Sequence, residues 1–155
     1  MATEKWVAGA TAGWVTGNTS GTLYNTLVNG NALISDLAID NSSNLDVFAD
    51  VSWVAGGTAT TAAPNYLAFY LYPLNEDGST YGDGRFGSSA AGPPPAVYFS
   101  GAIGFAAAAG TTIEGTVRGI ILPPGQFKWL VYNQSGASLA STNIFKYRTY
   151  NRSIA

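Results

Sequence analysis

The chain has no cysteine and no histidine. The first absence excludes a disulfide framework and any thiolate metal site. The second removes the commonest general base and metal-ligating side chain at neutral pH. Charge is scarce too, since Asp, Glu, Lys and Arg make up only 10% of the 155 residues. A net charge of −2 and a pI near 4.8 speak against a nucleic-acid partner, whose affinity comes from Lys and Arg neutralising phosphates. No apolar run approaches the length that spans a bilayer, so no membrane partner is expected. The opening residues MATEKWVAGATAGWV carry no basic stretch ahead of an apolar core. No signal peptide is therefore expected, and synthesis in a cytoplasm is.

What the chain does have is glycine (19 residues), aromatics (13%) and many Thr, Ser and Asn. That mixture predicts an all-β protein rich in turns, of a length that suits one domain with a real core. The stretch from Thr111 to Asn133 organises the rest. Ile113, Val117 and Ile121 alternate on one face with Gly115 and Gly119 between them, while Glu114, Thr116 and Arg118 take the other. Pro123-Pro124-Gly125 interrupts, and alternation resumes with Phe127, Trp129 and Val131 against Lys128 and Tyr132. The expected structure is a hairpin that needs a second apolar sheet to cover it.

Further strands are expected over Leu23–Val28, Ala32–Ile39, Leu45–Val54, Tyr66–Tyr72, Tyr98–Phe105 and Ile144–Tyr150. Asn29-Gly30 and Asn41–Asn44 read as turns. In Leu45–Val54, residues Leu45, Val47, Ala49, Val51 and Trp53 share one face. Tyr66, Tyr70 and Tyr72 oppose Leu67, Phe69 and Leu71, so neither face of that strand is expected to be fully wet. About eight short antiparallel strands and no convincing helix predict a single β-sandwich, jelly-roll-like. Residues 1–18, with Trp6 and Trp14, read as an extended N-terminal arm lying along its own sandwich or packing on a neighbour; 19–155 form the sandwich.

Chemistry-bearing clusters are few. Asp36, Asp40, Asp46 and Asp50 fall on two expected neighbouring strands, but strand carboxylates at this spacing do not converge as a calcium cage must. The long segment Asn75–Pro95 offers Glu76, Asp77 and Asp83 among glycines, without EF-hand spacing. Its GDGRFG lacks the strand–turn–helix context of a dinucleotide fingerprint. No catalytic, cofactor-binding or metal-ligating residue is assigned, and no cofactor is expected. Tyr66, Tyr70, Tyr72, Tyr81, Tyr98 and Tyr132 would suit a sugar-binding face or a protein interface equally. Lys128, Lys146, Arg148 and Arg152 place four of the seven basic residues between positions 128 and 155. They suit cross-strand ion pairing within the fold, or docking between copies or onto an acidic partner.

The segments YPLNEDGSTYGDGRFG, GPPP, IILPPGQFKWLVYNQSGASLAS and the closing FKYRTYNRSIA, in a chain free of His and Cys, form a pattern that resembles jelly-roll capsid decoration (cement) proteins of tailed phages. The likeness covers most of the chain from about Asn31 onward. It implies a non-enzymatic virion structural protein on the capsid surface, made in the host cytoplasm. Its partner would be the major capsid protein, whose neighbouring subunits it would cement, and it would be a homo-oligomer, dimer or trimer. Expected partner contacts are Trp6, Trp14, Tyr81, Arg85, Phe86, Lys146, Arg148, Tyr150 and Arg152, since aromatic and Arg anchors carry most interface energy. The alternative is a carbohydrate-binding or adhesion module of a phage tail or fibre.

Overall fold

Period-two alternation becomes strand wherever another strand is placed to pair with it. The computed structural model describes residues 4–10, 13–19, 22–55, 65–84, 89–105, 113–139 and 143–154. Among these lie eleven strands: β1 (Glu4–Ala8), β2 (Val15–Thr16), β3 (Asn31–Ile34), β4 (Ile39–Asp40), β5 (Phe48–Ala55), β6 (Tyr66–Pro73), β7 (Ala90–Ala91), β8 (Phe99–Gly104), β9 (Ile113–Ile121), β10 (Gln126–Gln134) and β11 (Asn143–Ile154). The first sheet runs β1-β11-β5-β9, with β2 also on β11. The second runs β7-β3-β10-β6-β8, with β4 also on β10. Once the two-residue strands β2, β4 and β7 are set aside, the antiparallel pairings nest: β1 with β11, β3 with β10, β5 with β9 and β6 with β8. One long ribbon is thus folded back and wrapped into two stacked sheets, the jelly-roll order of an all-β sandwich.

The inner faces supply the core as alternation predicts. β5 buries Ala49, Val51 and Trp53; β6 buries Leu67, Phe69 and Leu71; β10 buries Phe127, Trp129 and Val131; β11 buries Phe145 and Tyr147. Rings meet across the sheets, with Phe69 6.1 Å from Trp53 and 5.9 Å from Phe145. Each such large side chain contributes about 1.5–3 kcal/mol through burial.

The expected central hairpin does not form, because β9 lies in the first sheet and β10 in the second. Pro123 and Pro124 have no N–H to donate, so a ladder cannot close between the two strands. The connector is held instead by Asn41, whose side-chain amide donates to the Pro123 carbonyl at 2.9 Å and whose backbone N–H donates to that of Gly125 at 3.3 Å. β9 also changes face part-way. Gly119 sits at φ 72, and β9 carries one residue more than β5 between the pairs Ala49–Ile120 and Val51–Val117. This bulge turns Ile120 inward and leaves Ile121 72% exposed, the reverse of strict alternation.

Other segments depart from expectation for local reasons. Residues 22–26 form turns, just after which Leu27 N–H donates to the Tyr24 carbonyl, and the three-residue spacing sends both side chains into the core. The run 32–39 breaks at Ser35, whose hydroxyl donates to the Gly17 carbonyl at 2.8 Å and accepts the Leu37 N–H at 3.0 Å. β5 begins at Phe48, since Leu45 takes φ 50, and both Leu45 and Val47 are exposed. β11 runs on to Ile154 and gives the N-terminal residues an edge: β1 and β2 both pair with it. Asp46 latches that edge, accepting the Ala10 N–H at 2.8 Å and the Thr149 hydroxyl at 2.6 Å on Oδ2, and the Asn151 amide at 2.9 Å on Oδ1.

The outer face of the second sheet carries Tyr70, Tyr72 and Tyr132, all buried. Cover comes from the chain itself, as Tyr81, Ala90 and Tyr98 fold over them, Tyr98 with its ring 4.5 Å from that of Tyr72. The tyrosine face expected to meet a sugar or a neighbour is therefore covered by Tyr81, Ala90 and Tyr98.

Candidate docking face

Among the described residues, the outer face of the first sheet has no such cover. Because Phe145 and Tyr147 point into the core, Ile144, Lys146, Arg148, Tyr150 and Arg152 of β11 point outward. Cross-strand register puts Arg148 opposite Asp50, Tyr150 opposite Phe48 and Arg152 opposite Trp6. An aromatic cluster follows. Trp6 meets Tyr150 edge-on at 5.1 Å and Phe48 at 5.8 Å, and Phe48 stacks on Tyr150 at 5.6 Å. Two guanidiniums lie over tryptophans, Arg148 at 4.9 Å from the Trp14 ring and Arg152 at 5.7 Å from the Trp6 ring. Despite these neighbours Trp6 stays 64% exposed.

Asp50 forms the floor, only 3% exposed. Its Oδ2 accepts Arg148 Nε–H at 3.0 Å and Nη2–H at 2.8 Å; its Oδ1 accepts the Tyr150 hydroxyl at 3.0 Å and the Gly119 N–H at 3.2 Å. One carboxylate thereby holds the cation, the phenol and the β9 bulge together. Burial, and then the bond to Asp50, raise the Tyr150 phenol above its ordinary value of 10.0. Around this floor opens a groove of about 580 Å³, walled by Trp6, Tyr150, Arg118 and Arg148. Arg118, Lys146, Arg148 and Arg152 bring four of the chain's seven basic residues to this one face. Against them the described side chains set two carboxylates, Asp50 and Glu114, a local excess of two positive charges (four minus two) in a chain of net charge −2.

Six of the residues singled out from sequence thus converge: Trp6, Trp14, Lys146, Arg148, Tyr150 and Arg152. Tyr81 lies on the opposite side of the sandwich, packed on the second sheet with the Lys128 ammonium 4.9 Å from its ring. Arg85 and Phe86 lie outside the described residues. Sequence reasoning missed Phe48, Arg118 and Ile121. The signal for Ile121 was Gly119 ahead of two isoleucines, a pattern that marks a bulge and a change of face, while Phe48 and Arg118 follow from plain alternation on their strands. The four aspartates do not sit on neighbouring strands. Asp40 is in β4 of the second sheet and Asp50 in β5 of the first, while Asp36 binds Thr19 at 2.7 Å. Among the described residues, no group of three or more Asp or Glu is placed to hold a metal ion, and no helix is long and apolar enough to cross a membrane.

No protein-family model matches the chain, and no curated protein matches it. The case for a function therefore rests on the geometry of this face.

Proposed function

We propose that the protein is a non-enzymatic docking module that attaches to the outside of a protein shell through the outer face of its first sheet. In the setting its sequence resembles, that shell is a phage capsid. The partner is then the major capsid protein, the bound state a homo-oligomer cementing neighbouring subunits, and the location the virion surface. The observation that carries this reading is the contrast between the two outer faces. The chain covers the tyrosines of one with its own residues, yet leaves Trp6, Trp14, Ile121 and Ile144 exposed beside four cations on the other. Exposed tryptophans ringed by arginine are the composition of interface anchors, where single side chains are worth about 2 kcal/mol or more.

The groove's own chemistry fits binding better than catalysis. Asp50 is its lining carboxylate, and both oxygens are already committed to Arg148, Tyr150 and Gly119, so it has no lone pair placed to take a substrate proton. The test is co-sedimentation of purified protein with empty shells. The paired change Trp6→Ala and Tyr150→Ala should weaken binding by about 100-fold or more. The variant should keep a β-type circular-dichroism spectrum. Shell binding that survives both changes undiminished would refute the assignment of this face.

A further inference from the structure

Resting on that docking reading, we infer that the groove beside Asp50 receives a carboxylate from the partner protein, an Asp or Glu side chain flanked by apolar residues, with Arg118 as its anchor. Arg118 lines the groove, and its side chain makes no hydrogen bond or ion pair among the described residues. Among the described residues, the Arg148 side chain is bound to Asp50 through Nε and Nη2, and its Nη1 N–H groups have no hydrogen-bond partner there. The charged lining sums to Arg118 plus Arg148 minus Asp50, one net positive charge.

The hydrogen-bonding inventory selects the ligand. A neutral sugar hydroxyl both donates and accepts, so sugar sites need open side-chain acceptors. The groove's carboxylate is saturated, and the phenol of Tyr150 donates its proton to it. Beside the phenol oxygen of Tyr150, the open charged groups of the groove are the guanidinium donors of Arg118 and Arg148, which suit a group that only accepts, and a guanidinium fork matches a carboxylate in shape. The rim then separates a peptide from an acidic sugar. Trp6 and Val7 are exposed in the groove's lining and Ile121, opposite Phe48 in the same sheet, is exposed too, a surface that apolar side chains flanking a Glu would cover and a ring of hydroxyls would not.

The test uses the full chain and two blocked tripeptides, acetyl-Leu-Glu-Leu-amide and acetyl-Leu-Gln-Leu-amide, titrated to about 10 mM while the Trp6 indole and Gly119 amide signals are followed by NMR. The Glu peptide should shift both signals saturably, and the Gln peptide should bind about tenfold more weakly or worse. Arg118→Gln should erase that difference while leaving the melting temperature within about 2 °C of the parent, because Arg118 is exposed. Equal responses to the two peptides, or no response to either, overturn the inference. So does tighter binding of a glucuronic-acid disaccharide, which would assign the anchor to a sugar. Concentration-dependent self-association that Arg118→Gln abolishes would give the groove to a second copy and overturn it too. Shell binding keeps the two levels apart: loss with the Trp6 and Tyr150 changes but not with Arg118→Gln leaves the docking face standing and removes the carboxylate anchor.

Discussion

Replacing Asp50 with Asn tests whether one buried carboxylate organises the open face. The amide preserves shape but turns one acceptor oxygen into a donor. Two of the four donors now meeting Asp50 (Arg148 Nε and Nη2, the Tyr150 hydroxyl and the Gly119 N–H) must then face an N–H₂ group. A hydrogen bond to a charged group is worth about 1.5–3 kcal/mol, and a buried partner left unpaired adds to the loss. The Arg148 side chain, however, is 36% exposed and regains water when its partner goes. The expected net loss is therefore about 2–3 kcal/mol, below the full cost of breaking a buried pair. At about 2–4 °C per kcal/mol for a chain of this size, the melting temperature should fall by about 4–12 °C in differential scanning calorimetry. Amide exchange at Gly119 should accelerate, since Asp50 holds the bulge. A double-mutant cycle with Arg148→Met should give a coupling above about 1 kcal/mol. A melting point within about 1 °C of the parent, with Gly119 exchange unchanged, would show that the carboxylate does not hold this face together.

The cover over the second sheet makes a different prediction. Gly82 sits at φ 56 and an added Cβ there would run into the Tyr72 ring, so Gly82→Ala should destabilise by about 2–4 kcal/mol in urea denaturation. A loss under about 0.5 kcal/mol would mean that Gly82 does not pack against Tyr72 as described. pH gives a further check. Burial raises the phenols of Tyr24, Tyr70 and Tyr147 above 10.0, so they stay neutral in the fold while the unfolded chain ionises. Their contribution to stability is whole below pH 10.0 and declines as pH climbs toward the raised folded values. Chemical denaturation midpoints should be flat across neutral pH and drop on the alkaline side. A midpoint that holds steady well above pH 10.0 would contradict the burial of these rings.

Much of the sandwich was legible in particular runs. Ala49, Val51 and Trp53, or Phe127, Trp129 and Val131, announce a buried face because side-chain direction in a strand depends only on position along it. The same logic misplaced Ile120 and Ile121, since a bulge needs one residue of mismatch with a partner strand that local pattern does not name. It likewise took Pro123-Pro124-Gly125 for a hairpin turn, when the prolines, unable to donate, carry the chain from one sheet to the other. Within the candidate site, Trp6, Arg148 and Tyr150 were visible as anchors by type. Arg118 was placed on the outward face but not in the groove, because that depends on β9 pairing with β5 beside Asp50.

Residue types and their alternation, with no help from the fold, settle that the chain is all-β, lacks thiol and imidazole chemistry, and has more aromatic surface than one core consumes. These are properties of single residues and near neighbours. The fold alone decides that β1 closes onto β11, that the Tyr70–Tyr72–Tyr132 face is covered by Tyr81, Ala90 and Tyr98, and that Trp6 stays exposed. Each of those outcomes is a choice among distant partners, made by which burial excludes the most water, and near-neighbour alternation does not encode it.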